Sequence, residues 1–188
     1  QKLRPAAKQN AGGEWVKEFR WVGDKKAATR FGQQLWKAGG RKLVVTEGEI
    51  DALSMSQVQG NKYPVVSVPD GAASAAKAIA AQLEWVSSFD EVIIMFDADA
   101  PGQDAALEVA SLLPFGKAYI TTLELNDPNE MLQAGRTDEL RRQVWEAKPW
   151  RPDGFVTGPE LWEEMNDPAN AVESYPTPWS DLNEKIDG

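Results

Sequence analysis

Residues 91–106 read EVIIMFDADAPGQDAA. The first six are almost all apolar, which fits a strand covered on both faces of a parallel sheet. Two acids, Asp97 and Asp99, stand where that strand would end, and Pro101-Gly102 then opens a helix predicted over 103–113, ended by Pro114 and Gly116. The same alternation extends outward on both sides. Strands are predicted at 43–46, 64–68 and 118–123. Helices are predicted at 50–59 and 72–86, with shorter ones at 129–133 and 138–147. Strands alternating with helices imply an α/β domain with a largely parallel sheet, because parallel neighbours need crossover connections.

That topology gives meaning to the position of the acids. Glu47 follows the first strand of the alternation, Asp70 the second, Asp97 and Asp99 the third, and Asp127 the fourth. Carboxyl ends of parallel strands share one edge, where open α/β sheets bind ligands. Crowded carboxylates raise one another's pKa, and a divalent cation is the usual relief. Asp51, four residues after Glu47, either faces that rim or complements its helix dipole. Asp70 before Gly71 reads as a turn or cap residue, and Asp104 as first-turn helix decoration.

Composition narrows the chemistry. The 188 residues contain no His and no Cys, which excludes imidazole catalysis, thiolate metal sites and disulfides. A metal would need oxygen ligands, favouring a hard cation such as Mg²⁺. No stretch approaches the roughly 18 apolar residues of a membrane span, and no signal-peptide pattern opens the chain. The net charge of -9 is uneven. Residues 1–42 carry eleven Lys/Arg against three acids (+8), and 43–188 carry nine against twenty-six (-17). A basic arm beside an acidic body suits a polyanion held near an acidic metal site. Trp15 and Trp21 lie among those cations in a segment of strand-like period, with Gly12-Gly13 as a hairpin turn before it. A short helix is predicted at 31–38. After Trp150 the chain becomes rich in Pro and Gly, with one helix predicted at 159–166 and a linker beyond it.

The segments VVTEGEIDALS (44–54), VVSVPDGAASAAK (65–77), IIMFDADAPGQDAA (93–106) and NDPNE (126–130) together resemble a TOPRIM domain of the primase type. QKLR (1–4), KEFRW (17–21), FGQQLWKAGGRKLVVTEGE (31–49) and VWEAKPWRPDG (144–154) extend the likeness to the primase half of the T-odd phage primase–helicases and their mitochondrial relative Twinkle. The resemblance covers roughly residues 1–155. One departure is Asn126, where many relatives carry Lys.

The resemblance implies a Rossmann-like, mostly parallel sheet flanked by helices, with a small basic N-terminal subdomain. Residues 1–40 would be part of that subdomain, 41–150 the TOPRIM domain, and 151–188 a linker helix and segment leading to a helicase domain. It implies DNA-dependent RNA primer synthesis from NTPs on single-stranded DNA, with Mg²⁺ or Mn²⁺. Asp97 and Asp99 would hold metal, with Asp51 and Asp127 completing the cluster and Glu47 acting as ligand or general base. Lys2, Lys17 and Arg20 would contact NTP phosphates or template. The implied partners are a helicase domain, a zinc-binding module and a replicative DNA polymerase, with no membrane, in the cytoplasm of the host cell. Two other readings keep part of this picture: a non-catalytic single-stranded-DNA-binding scaffold linked to a helicase, and a TOPRIM nuclease.

Overall fold

The structure is a computed structural model that describes residues 2–3, 8–9, 12–13, 15–16, 20–22, 30–152, 154–167 and 178–179. Its contacts separate two units, Gln1–Arg151 and Pro152–Gly188.

Four short strands lead the first unit: β1 (Lys2–Leu3), β2 (Lys8–Gln9), β3 (Trp15–Val16) and β4 (Arg20–Trp21). They pair antiparallel as β1 with β4 and β2 with β3, which places Gly12-Gly13 in the connection of a hairpin. The main sheet follows, from β5 (Gly40–Thr46), β6 (Val65–Ser67), β7 (Phe89–Met95), β8 (Ala118–Ile120) and β9 (Lys148–Pro149), in the order β6-β5-β7-β8-β9. The first four strands are parallel, and β9 closes the edge antiparallel to β8.

The helices are α1 (Glu49–Val58), α2 (Ala75–Ala80), α3 (Leu83–Ser87), α4 (Ala100–Leu112), α5 (Pro128–Gln133) and α6 (Thr137–Glu146). Alternate residues of β7 feed different layers. Val92 and Ile94 join Leu43, Val45 and Val66 in a core with α2 to α4, whereas Ile93 and Met95 join Val44, Met55, Met131 and Leu140 against α1, α5 and α6. Both faces of β5 and β7 are therefore covered along their C-terminal halves, which is why Leu43–Val45 and Val92–Met95 are continuous apolar runs while the charged residues fall near the strand starts.

Chain order reverses between β5 and β7. From β5 the crossover through α1 reaches β6 on one side, and from β7 the crossover through α4 reaches β8 on the other. The divergence opens a crevice at the carboxyl ends of β5 and β7, the topological switch point of an open sheet.

Two expected helices are altered by tertiary contacts. The stretch 72–86 is not one helix but a 3-10 turn (Ala72–Ser74) followed by α2 and α3, with the break at Ala81-Gln82. The cause is Arg30, which is 2% exposed. Its guanidinium donates to the Ala78 carbonyl at 2.9 Å, the Ile79 carbonyl at 3.3 Å and the Gln82 side chain at 3.3 Å, so it supplies a donor to the Ala78 carbonyl and a second one to the Ile79 carbonyl, which also accepts from Gln82 N at the end of α2. Burial lowers the Arg30 pKa to about 10. Residues 31–38 form only a 3-10 turn, Gln33–Leu35. Phe31 is instead drawn to the sheet, accepting a hydrogen bond from Ser67 N at 3.2 Å. Gly32 follows in a left-handed conformation (φ 87°), where a Cβ would lie 2.9 Å from the Val65 carbonyl oxygen.

In the second unit, α7 (Gly158–Asn166) starts with a capping box between Thr157 and Glu160 and leaves Leu161, Trp162 and Met165 exposed.

Ile93→Ala removes side-chain atoms from a position with no exposure. We expect it to cost about 2–5 kcal/mol in urea unfolding, against under about 0.5 kcal/mol for Leu107→Ala, half exposed on the outer side of α4. Similar losses in both would refute the two-faced core.

Candidate functional site

Glu47 is the first residue beyond β5, and Asp97 lies two beyond the end of β7. The two acids sit on either side of the switch point. Both are half-buried, and each carries a buried oxygen, Glu47 Oε2 and Asp97 Oδ1, with no hydrogen-bond donor among the described residues. Such an orphan acceptor is costly unless something cationic completes it.

The other three acids come from the loops and helix starts around them. Asp51 lies in the first turn of α1, with its Oδ2 folded back over Gly48; a Cβ on Gly48 would collide with it. Asp99 caps α4, accepting from Gly102 N at 2.8 Å. Asp127 caps α5, accepting from Glu130 N at 2.7 Å, while Glu130 reaches back to accept from Asn126 N at 3.3 Å. The β7 loop is clipped to the NDPNE loop by one backbone hydrogen bond, Ala98 N to the Asn126 carbonyl at 2.7 Å. That bond carries Asp127 to the side of the crevice where Asp97 and Asp99 sit.

Electrostatics joins all five. The Asp97 pKa is raised to about 7, first by burial and then by the negative charges of Glu47, Asp51, Asp127 and Asp99. Asp51 is raised to about 6, by burial and then by Asp127, against a partial offset from the amides of Asn129, Asp51 itself and Gly48. The five acids read from the sequence are thus one charge cluster. Among the described residues, however, no three His, Cys, Asp or Glu side chains are drawn close enough together to form a ready cage for an ion. The donor set, all oxygen with two orphaned acceptors, fits a hard divalent cation.

Asp70 lies exposed beyond β6. The next residue, Gly71 (φ 75°), brings the β6 loop against the cluster, and a Cβ there would sit 3.4 Å from Glu47 Oε1. Of the basic residues, Lys17 lies outside the described residues. Lys2 and Arg20 belong to the β1–β4 ribbon, with Lys2 opposite Trp21 and Leu3 opposite Arg20.

Several supporting residues escaped the sequence reading. Gln103 donates its side-chain amide to the Asp97 carbonyl at 2.9 Å. Ser54 and Asn129 are linked side chain to side chain at 3.3 Å, tying α1 to α5 beside Asp51. Gly102, which the sequence already places where the helix opens after the strand, must also lack a side chain because a Cβ would run into the Asp97 carbonyl and Asp99 Oδ1. The only advance signal was their place within a helical turn of an acid.

A Toprim-like family model matches residues 44–132, a span that contains all five acids. The chain is 42% identical over 151 residues to the DNA helicase/primase of enterobacteria phage T3, covering 80% of this chain and 26% of that protein. It therefore spans about a quarter of that relative's length. A chain from a bacteriophage T7 complex, in which the lagging-strand DNA polymerase interacts with primase domains bound to an RNA/DNA hybrid and dTTP, is 41% identical. The match has a TM-score of 0.65 and covers 76% of this chain and 70% of that one. The chain belongs to the Toprim-type primases of the phage primase–helicases. The primase fragment of the bacteriophage T7 primase–helicase gives the same result at 39% identity, TM-score 0.66, over 77% of this chain and 63% of that fragment.

The raised Asp97 and Asp51 values fix a sign. An unfolded Asp ionises near 3.9, so between about pH 4 and pH 7 the native chain holds protons that the unfolded chain has lost. Metal-free stability contributed by these groups is full at low pH and is lost as pH rises through about 6 to 7. In EDTA, the melting temperature should fall from about pH 5 to about pH 8, and Asp97→Asn should flatten that fall; an identical slope in the variant would separate Asp97 from the cluster. Gly102→Ala should destabilise by about 1–3 kcal/mol in denaturant titration.

Proposed function

We propose that this chain is the primer-synthesis portion of a primase–helicase, joining NTPs on a single-stranded DNA template. The 3′-hydroxyl of one nucleotide attacks the α-phosphate of the incoming NTP, the bond to the β-phosphate breaks, and pyrophosphate leaves. The observation that carries this reading is the pair of orphaned carboxylate oxygens on Glu47 and Asp97 at the switch point, embedded in the five-acid cluster.

Asp97, Asp99, Asp51 and Asp127 are the residues that would hold Mg²⁺ or Mn²⁺, with Glu47 beside them. A bound divalent ion would supply the positive charge that neutralises the triphosphate. The chain's own work is positioning. Gln103 and the Ala98–Asn126 hydrogen bond hold the Asp97–Asp99 loop against the Asp127 loop. Gly48, Gly71 and Gly102 keep side-chain bulk away from the carboxylates. Glu47 presents the same orphan oxygen either to the ion or to the proton of the 3′-hydroxyl. Lys2, Lys17 and Arg20, in the basic arm, are assigned to phosphates of template or NTP, contacts that set position without reading sequence.

The T3 relative's name supports linkage to a helicase, with residues 1–40, 41–150 and 151–188 serving as basic subdomain, catalytic domain and connector. The T7 complex supports contact with a replicative DNA polymerase. A zinc-binding module as template reader completes the set of partners, acting in the host-cell cytoplasm. No described helix is long and apolar enough to cross a membrane.

Asp97→Asn and Glu47→Gln should each lower dinucleotide synthesis from NTPs on single-stranded templates by at least about 100-fold. Thermal stability in EDTA should be kept or raised, and stabilisation by added Mg²⁺ should be lost. Synthesis persisting in both variants would refute the site, and cutting of the template without synthesis would favour a nuclease.

A further inference from the structure

The opposite edge of the sheet holds a feature that the acid cluster does not use. Where β5 begins, α1 ends and β6 begins, there is a cavity of about 820 Å³. Along β5 its lining runs from Gly40, about 20 Å from Glu47, to Val44, about 10 Å from it. Its lining includes Arg41, Lys42, Lys62, Tyr63, Arg141 and Trp145. Two of the four cations, Arg41 and Lys42, end the basic stretch 1–42, and two, Lys62 and Arg141, are among the nine Lys/Arg of residues 43–188, which carry -17 overall.

The side chains are arranged for contact with something outside the fold. Trp145 is 61% exposed and Tyr63 58%. Arg41 and Lys42 approach the Trp145 ring to 5.7 Å and 5.2 Å from its centroid. Lys42 is held by Glu91, and Arg141 by Asp138 and the Val58 carbonyl. Arg41 has only a 3.9 Å approach to Glu91, and Lys62 has no ion-pair partner among the described residues.

We infer that this cavity is a second contact site for single-stranded nucleic acid, with a base stacked on Trp145 and backbone phosphates on Arg41, Lys62 and Arg141. Exposed aromatics interleaved with cations are the physical pattern of single-strand binding. The cations come from three separate segments, β5, the turn after α1, and α6. A free triphosphate would need converging donors such as a nest of backbone amides. The inference rests on the nucleic-acid reading of the chain but not on the acid rim, so each can fail alone.

The test uses the full chain in EDTA with a labelled oligothymidylate, followed by anisotropy, and a thiothymidine-bearing strand for photocrosslinking. Crosslinks should map to the peptides holding Tyr63 and Trp145. The double variant Lys62→Glu, Trp145→Ala should bind the strand about tenfold more weakly and with a shallower salt dependence. Affinity within twofold of the parent, with no crosslink at those peptides, would overturn the site, as would labelling of the cavity by photoreactive ATP but not by the strand. If the double variant does not fold, the crosslink map of the unaltered chain decides. Asp97→Asn run in parallel should crosslink normally while failing in synthesis, which separates this site from the rim.

Discussion

The structure depends on a repulsion that its own backbone enforces. Five carboxylates are gathered at the carboxyl ends of β5 and β7, and the cost appears in Asp97, which keeps its proton up to about 7. Such an arrangement would relax apart if its members sat on mobile loops. Here each acid is fixed by something unrelated to charge. Glu47 and Asp97 are placed by buried parallel strands, Asp51 by the first turn of α1, and Asp99 and Asp127 by hydrogen bonds that start helices. The apolar core on both faces of the sheet resists the self-repulsion of the rim.

Much of this was readable from the sequence, for a definable reason. EVIIMF, with acids immediately after it, is a pattern that only a strand covered on both faces explains well, and parallel topology then carries strand-end acids to one edge. Of the five acids named from sequence, Glu47, Asp51, Asp99 and Asp127 all raise the pKa of the fifth, Asp97. What stayed hidden depended on contacts distant in the chain. Nothing local marks Arg30 as the residue that ends α2 about fifty positions later, so the Ala-rich stretch looked like one helix. The shortening of 31–38 has the same origin, since Phe31 is taken as an edge partner by Ser67. Spacing also cannot reveal a β9 of two residues, held by pairing with β8.

The glycines show how the same residue serves different ends. Gly32 is needed for a left-handed turn against the Val65 backbone, whereas Gly102 sits within the first turn of α4 and is needed for the room it leaves beside Asp97. The first is a requirement of folding. The second lets a helix begin almost on top of a strand end, and so lets a capping acid and a strand-end acid occupy the same crevice.

Asp99 and Asp127 hold two positions at once, as helix starters and as members of the charge cluster. Replacing either by Ala would disturb the helix start and the charge together, so a silent enzyme would reveal nothing about which was lost. Asn opens helices about as well as Asp, and it carries no charge. At these two positions the amide is therefore the informative replacement. The overlap also limits drift during evolution, because a change that spares the helix can still empty the site of charge, while one that keeps the charge as Glu gives up the short side chain that reaches the backbone amide.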